Sequence, residues 1–282
     1  DILLMKNSNK IHVSYEEATG TPTYGLTNDY MFRAVFQKNH TALKGLISSV
    51  LHLSPDSIKD VVITNPIKLG EHYDEKTFVL DINVLLNNNS IINLEMQMTN
   101  EHNWQDRSLS YLCRSFDQLY QGDDYMVAKP VTHIGFLNFT PFPDAPEFHA
   151  TYQLLNTKNH SVYSDKFSLH VIDLKHIELA TTEDHAHKID DWAKLFTTTS
   201  WEELKMIANK DPYFDEATQT MYELNADEII QQQCRARREY YKRMNLHKKT
   251  LQELEEAKQQ IEQSNLKIKQ LEKRIAELES QQ

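Results

Sequence analysis

Two strand-like runs between Thr77 and Met98, joined by Asn87-Asn88-Asn89-Ser90, hold the residues best suited to chemistry. In the first run Phe78, Leu80, Ile82, Val84 and Leu86 share one parity, while Val79, Asp81 and Asn83 share the other. In the second, Ile92, Leu94, Met96 and Met98 form the apolar set, and Asn93, Glu95 and Gln97 lie opposite. Facing in a sheet has a period of two, so if both apolar sets share a face, directly opposed residues must have numbers with an even sum. That requires a three-residue loop or a bulge, which asparagines tolerate because they accept positive φ. Asp81 then lies opposite Glu95 or Gln97. Residues so paired have Cβ atoms roughly 4.5–5.5 Å apart, close enough for two carboxylates to share one divalent ion. Asp is disfavoured inside strands, so its place within an apolar run favours a functional role over a solvated one. The same argument holds in milder form for Glu95.

The rest of the chain must position these groups. With 282 residues it is long enough to bury a full core, and 25% charged and 40% hydrophobic residues place it among ordinary soluble proteins. No apolar run reaches the length of a membrane span and no signal peptide opens the chain, so a cytoplasmic location and no membrane partner are expected. Cys113 and Cys234 lie far apart without C-x-x-C spacing, which suggests neither a disulfide nor zinc. The thirteen histidines, His185-Ala186-His187 included, show no metal spacing tied to other ligands and read as surface or satisfied core residues. A net charge of −11 argues against a protein that coats nucleic acid nonspecifically, but not against a nuclease, which needs clustered carboxylates and only a local basic patch.

Residues 1–26 read as a mixed polar lead-in. Thr27-Asn28-Asp29 offers an N-cap to a helix containing Met31, Phe32, Val35 and Phe36, and a second helix is expected over about Thr41 to Leu53. Val61–Ile67 reads as a strand and Gly70–Glu75 as an acidic loop. From Glu101 to Gln121 the period is helical: Leu109, Leu112, Cys113, Phe116, Leu119 and Tyr120 make an apolar stripe, and Gly122 suits the C-terminal cap. Arg107, Tyr111 and Arg114 occupy another face, which aims two guanidiniums along one line beside the Glu95 strand. Val131–Phe139, Phe148–Leu155 and Phe167–Leu174 read as further strands, and two helical segments follow Ile189. Interleaved strands and helices give an α/β class with a mixed sheet flanked by helices.

From about Glu216 there is no Pro or Gly. Leu254, Ala257, Ile261, Ser264, Ile268, Leu271, Ile275 and Leu278 hold strict a and d positions over four heptads, which predicts a long C-terminal helix forming a parallel coiled coil and a homodimer through residues 250–282. The alternative is a solvated amphipathic helix docked on its own domain. Before it lies the chain's basic island: Arg235, Arg237, Arg238, Lys242, Arg243, Lys248 and Lys249 against the single acid Glu239. It reads either as a phosphate-contacting helix or as a solvated helix surface.

A strand Asp, a hairpin, Glu-x-Gln and then a helix with outward arginines resembles the PD-(D/E)XK nuclease superfamily, and within it the Rpn-like recombination-promoting nucleases or transposases. The matching residues are Thr27 to Phe32, Asp74-Glu75-Lys76 leading into Leu80 to Val84, Ile92 to Gln97, and the Arg107 to Gly122 helix; the resemblance spans roughly residues 25–200. It implies a restriction-endonuclease-like core, placed here at 27–210; the residues themselves add a helical, basic connector at 211–249 and the coiled coil at 250–282. It also implies a DNA partner and a metal, Mg²⁺ first and Mn²⁺ or Ca²⁺ as other oxygen-seeking candidates, held by Asp81, Glu95 and the Met96 carbonyl. Asp29 is implied as a further helix acid of the site, with a plain dipole-stabilised acid as its other reading. Arg107, Arg114, Arg235, Arg237, Arg238, Lys242 and Arg243 are the candidates for phosphate contact. Gln97 stands where the superfamily usually has Lys, and can hydrogen-bond and orient but not supply charge. The expected function is therefore a metal-dependent DNA endonuclease tied to a mobile element or to defence. Its rivals are a nuclease fold retained as an inactive coiled-coil binding module, and a scaffold in which the coiled coil is the main function.

Overall fold

The structure, a computed structural model, describes residues 14–67, 81–117 and 119–279. The expected strand residues Phe78, Val79 and Leu80, the acidic loop and Asp74-Glu75-Lys76 lie outside them. The chain divides into two compact units, residues 1–237 and 238–282.

In the first unit the order is α1 (Asp29–Lys38), α2 (His40–Val50), β1 (Val61–Ile63), β2 (Ile82–Leu86), β3 (Ser90–Gln97), α3 (Trp104–Phe116), β4 (Val131–Leu137), β5 (His149–Leu155), β6 (Val162–Asp173), α4 (Thr182–Ala186), α5 (Ile189–Thr197), α6 (Trp201–Ala208) and α7 (Pro212–Ala226), after which α8 (Glu228–Glu279) begins. The strands form one mixed sheet in the order β1-β2-β3-β4-β6-β5, with β3, β4 and β6 parallel and the other pairs antiparallel. The β3–α3–β4 crossover brings two parallel strands side by side, as such a connection must. The expected α/β class with a helix-flanked mixed sheet and a long C-terminal helix is what the chain forms.

Burial follows parity. Ile82, Val84, Ile92, Leu94, Met96, Ile134, Phe136 and Ile172 enter the main core, which α1, α2, α5 and α7 cover from one side. Phe32 of α1, Phe136 of β4 and Phe196 of α5 meet pairwise at 5.2–5.7 Å between ring centroids, so one aromatic cluster ties sheet to helices. The other face carries a small core of Trp104, Leu137 and Val171. Segment 211–237, read from sequence as part of a connector, packs into this unit: α7 buries Phe214, Ala217, Met221 and Leu224, and the start of α8 buries Ile230 and Cys234.

Some boundaries differ from the sequence reading. The helix expected over Glu101–Gln121 is only α3, it ends at Asp117, and Gly122 takes its positive φ of 100° in a later turn. Its buried residues are Trp104, Ser108 and Leu112, while Leu109 and Cys113 are exposed. The reason is steric: the Trp104 indole lies on Gly135 of β4, where any Cβ would overlap it, and that contact sets which face of α3 meets the sheet. Strand β6 starts at Val162, ahead of the expected Phe167, because it pairs with β5 through a bulge at Gln153–Leu155.

Arg33 is fully buried although α1 is otherwise an apolar helix. Its guanidinium donates to the main-chain carbonyls of Asp81 and Asn65, and its Nε donates to Gln37 Oε1 at 3.1 Å. Asn65 Nδ2 also donates to the Asp81 carbonyl (3.0 Å), and Asn65 Oδ1 accepts from the Asn83 amide (2.8 Å). The backbone entering β2 is thereby fastened to α1. Arg33→Met should leave these buried acceptors short of donors and lower stability by about 2–4 kcal/mol. Urea unfolding monitored by far-ultraviolet circular dichroism checks this; a midpoint matching wild type would show that the network holds nothing.

Candidate active site

The hairpin register decides where the polar side chains point. Ile82–Leu86 pairs with Leu94–Ser90, and the loop is Asn87–Asn89 with Asn87 and Asn88 at φ of 51° and 54°. This is the even-sum pairing with a three-residue loop that the sequence requires. The same ladder taken one step further sets Asp81 across from Glu95. On the other side β4 runs parallel, with His133 beside Asn93, Gly135 beside Glu95 and Leu137 beside Gln97. Asp81, Asn93, Glu95, Gln97 and His133 are all buried, none more than 6% exposed.

Each carboxylate is half satisfied. Asn93 Nδ2 donates to Asp81 Oδ2 at 2.6 Å and to Asn83 Oδ1 at 2.5 Å, while Asp81 Oδ1 is buried with no hydrogen-bond partner among the described residues. Arg107, from the first half of α3, puts Nε at 2.8 Å and Nη2 at 2.7 Å from Glu95 Oε1, while Glu95 Oε2 is buried with no hydrogen-bond partner among the described residues. Gln97 spends its amide nitrogen on the Thr99 carbonyl (3.3 Å) and leaves Oε1 buried and unpartnered as well. Buried acceptors are normally satisfied, so three such oxygens on one sheet face, all from residues beside one another in the register, point to a cation. The set is oxygen only, which suits a hard divalent ion of the Mg²⁺ type.

Electrostatics agree. Burial raises the Asp81 carboxyl above its ordinary value, against the opposing effects of Asn93, Arg33 and Arg107. Burial likewise raises Glu95, with Arg107 opposing and the Asp81 charge adding to the shift. A positive ion between them would reverse both.

The sequence matches the family described as PD-(D/E)XK nuclease family transposase over residues 26–251. The chain belongs to that family. Comparison with curated proteins and with solved structures found no match.

Other residues singled out in this PD-(D/E)XK nuclease family member are placed as follows. The Asn28 side chain caps α1 by accepting from the Met31 amide (3.1 Å), and donates to the Cys234 carbonyl of α8 (3.0 Å). Asp29, expected to add a helix acid to the site, has its carboxylate engaged by Arg237, with Nε at 3.0 and 3.1 Å and Nη2 at 2.5 Å. Arg237, expected to contact phosphate, is correspondingly buried. Together Asn28 and Asp29 dock the start of α1 onto the first turns of α8, which is an anchoring geometry. Arg114, Arg235, Arg238, Lys242 and Arg243 are exposed, with Lys242 ion-paired to Glu239 at 3.3 Å. Met96 sends its side chain into the main core, so only its backbone could serve the site.

His133 is the residue that sequence reasoning passed over. Its ring is fully buried, stacks on Tyr111 (5.8 Å, 7°), tilts against Trp104 (5.5 Å), and sets Nε2 3.9 Å from Glu95 Oε2. Neither ring nitrogen has a hydrogen-bond partner. Burial, helped by the Arg107 charge, pushes its pKa down to about 3, so the imidazole is neutral at physiological pH.

The raised carboxyl values carry a sign. A folded-state pKa above the unfolded one means the folded protein binds the proton more tightly, so stability falls as pH rises from the unfolded value, near 4, through the raised one, and stays reduced above it. Asp81→Asn removes this penalty. In EDTA at pH 8 it should raise Tm, with the gain shrinking toward pH 4. Added Mg²⁺ should raise the wild-type Tm more than that of Asp81→Asn. Differential scanning calorimetry across pH checks both; a variant less stable at pH 8 would contradict the argument.

Proposed function

We propose that this chain is a Mg²⁺-dependent DNA endonuclease, acting in mobile-element recombination, transposition or defence. The observation that carries it is the pair of buried carboxylates, each with one oxygen fixed by a protein donor and the other, Asp81 Oδ1 or Glu95 Oε2, without one among the described residues. Such a pair is preorganised for an ion: the bound oxygens fix orientation and the unpartnered ones supply the charge. A divalent ion held by Asp81 and Glu95, with the Met96 carbonyl as a third donor, supplies the Lewis acidity and the activated water that phosphodiester hydrolysis needs. Mn²⁺ or Ca²⁺ would fit the same oxygen donors.

The chain's own groups do the rest. Asn93 and Arg107 hold the two carboxylates in place. Gln97 Oε1 accepts a hydrogen bond from the attacking water and orients it without contributing charge. Arg107 is the cation of the site; its guanidinium is partly exposed, so it can face a phosphate while still bonded to Glu95. Arg114 further along α3 and Arg235 are further candidates for phosphate contact in the first unit, and Arg238, Lys242 and Arg243 are candidates in the second. Among the described residues no helix is long and apolar enough to cross a membrane, and we read the location as cytoplasmic.

Purified protein incubated with supercoiled plasmid and Mg²⁺ should produce nicked and linear forms. Asp81→Ala and Glu95→Ala should each cut at least about 10²–10³-fold more slowly. Absence of cutting by wild type, or equal cutting by both variants, sinks the proposal and leaves the second reading, a nuclease fold serving as a binding module. That reading draws on Gln97, which puts a neutral amide where a cation would make catalysis stronger.

We further propose that residues 250–282 form a parallel two-stranded coiled coil with a second copy of the chain. Leu254, Ile261, Ile268, Leu271 and Ile275 are each more than half exposed in the single chain, and Ile at a with Leu at d favours two strands. A dimer would present two active sites, which suits double-strand cleavage. Light scattering should give twice the chain mass for the full protein and the single-chain mass after deletion of 250–282; a full-length monomer refutes the dimer.

A further inference from the structure

A second group of ligand-type side chains lies outside the Asp81–Glu95 site. Glu183 and His187 are four residues apart, on α4 and at its C-cap, a spacing that puts both on one helix face. The short helix is held by a capping box, in which Thr181 Oγ1 accepts from the Asp184 amide and Asp184 Oδ2 accepts from the Thr181 amide (2.7 Å). Asp184 Oδ1 also lies 3.1 Å from His149 Nδ1 on β5, which joins α4 to the sheet edge.

The third member is His52, just past α2. The Leu53 amide donates to the Ser48 carbonyl (2.9 Å) and the His52 amide to the Ser49 carbonyl (3.3 Å), the Schellman arrangement that ends a helix. Its left-handed position, φ 53°, is usually given to Gly, yet here it carries an imidazole. The backbone turn swings that ring over α4. His52 Nδ1 lies 3.2 Å from Glu183 Oε1, and its ring stacks on His187 at 4.0 Å and 2°. One ligand atom from each of His52, Glu183 and His187 lies within 4.8 Å of the other two. His52 Nε2 is buried without a hydrogen-bond partner among the described residues.

We propose that His52, Glu183 and His187 form a zinc site that clips the end of α2 to α4. Two imidazole nitrogens and one carboxylate oxygen, with a fourth position left for water, are a donor set of the zinc type. Mg²⁺, which takes oxygen ligands and keeps its waters, suits it poorly. Ligand atoms around one tetrahedral zinc lie roughly 3.3 Å apart, given bonds of about 2.0–2.1 Å, so the group has to contract modestly. Two parallel rings cannot both hold one ion in their planes. Zinc binding therefore turns one ring about its Cβ–Cγ bond and ends the stacking; His187 is only half-buried and Glu183 is exposed, so both can move. All six strands lie between residues 52 and 183 in sequence, so the clip would close the chain around the whole sheet. It does not rest on the nuclease reading.

The test uses the full chain in the Asp81→Asn background, which weakens the other metal site. After equilibration with ZnCl₂ and gel filtration, zinc is counted by mass spectrometry of the metal, and affinity is read by competition with a chromophoric chelator. One zinc per chain is expected. His187→Ala and Glu183→Gln, both at accessible positions, should weaken it by at least about 10–100-fold, the cost of losing even an outer-shell partner. His52→Gly, which suits the left-handed backbone and so protects the fold, should do the same. Zinc should raise Tm in the parent by mass action and leave His187→Ala unmoved. No retained zinc in the parent, or equal retention in all three variants, overturns the proposal.

Discussion

The buried contact between the Arg33 guanidinium and the main-chain carbonyl of Asp81 is what the site depends on. Strand β2 comes next to the edge of the sheet, flanked on its outer side only by the three-residue β1. A strand so placed has few ladder bonds to resist slippage, and a slip of one residue would turn Asp81 to the opposite face. Arg33 prevents this from the helix side, with Asn65 binding the same carbonyl and the Asn83 amide. The positive charge sits on the apolar face of the sheet, satisfied by carbonyl and amide oxygens, and it acts on the backbone of a residue whose carboxylate is on the polar face. One side chain thus connects the core to the chemistry.

The two faces of the sheet are built by different means. One is dry and closed by four helices around the aromatic cluster of Phe32, Phe136 and Phe196. The other has a small apolar core, and α3 reaches close to β4 only because residue 135 lacks a side chain under the Trp104 indole. That approach brings Arg107 onto Glu95 and Tyr111 onto His133. Burying two carboxylates this way costs stability, since desolvation outweighs the nearby positive charges for both. Sites that retain such a cost are where local rules are broken for function.

Parity alone made much of this legible. The alternation in residues 81–97 was enough to require an even-sum register, with a three-residue loop or a bulge, and to bring Asp81 opposite Glu95 or Gln97; the three-residue loop is the one formed. The N-cap at Asn28 was readable from local capping chemistry. His133 was not, because its relevance depends on β4 lying beside β3, and nothing local to Val131–Leu137 says which strand is its neighbour. The buried face of α3 was misread for a related reason: Leu109 and Cys113 have the better apolar pattern, but the steric gap at Gly135 selects Trp104, Ser108 and Leu112. Arg33 and Arg237 look like solvated helix charges until tertiary partners 48 and 208 residues away are known.

The long helix α8 shows how one element can serve two purposes through a change of environment along its length. Up to Arg237 it is part of the first unit, with Cys234 buried and Arg237 paired to Asp29. An ion pair this buried contributes little net stability over an apolar pair, yet loses several kcal/mol when one partner is removed, so it acts mainly as a device that fixes register. The Asn28-Asp29 pair, in which Asp29 has two readings in the sequence, is engaged here in holding the start of α1 to the first turns of α8.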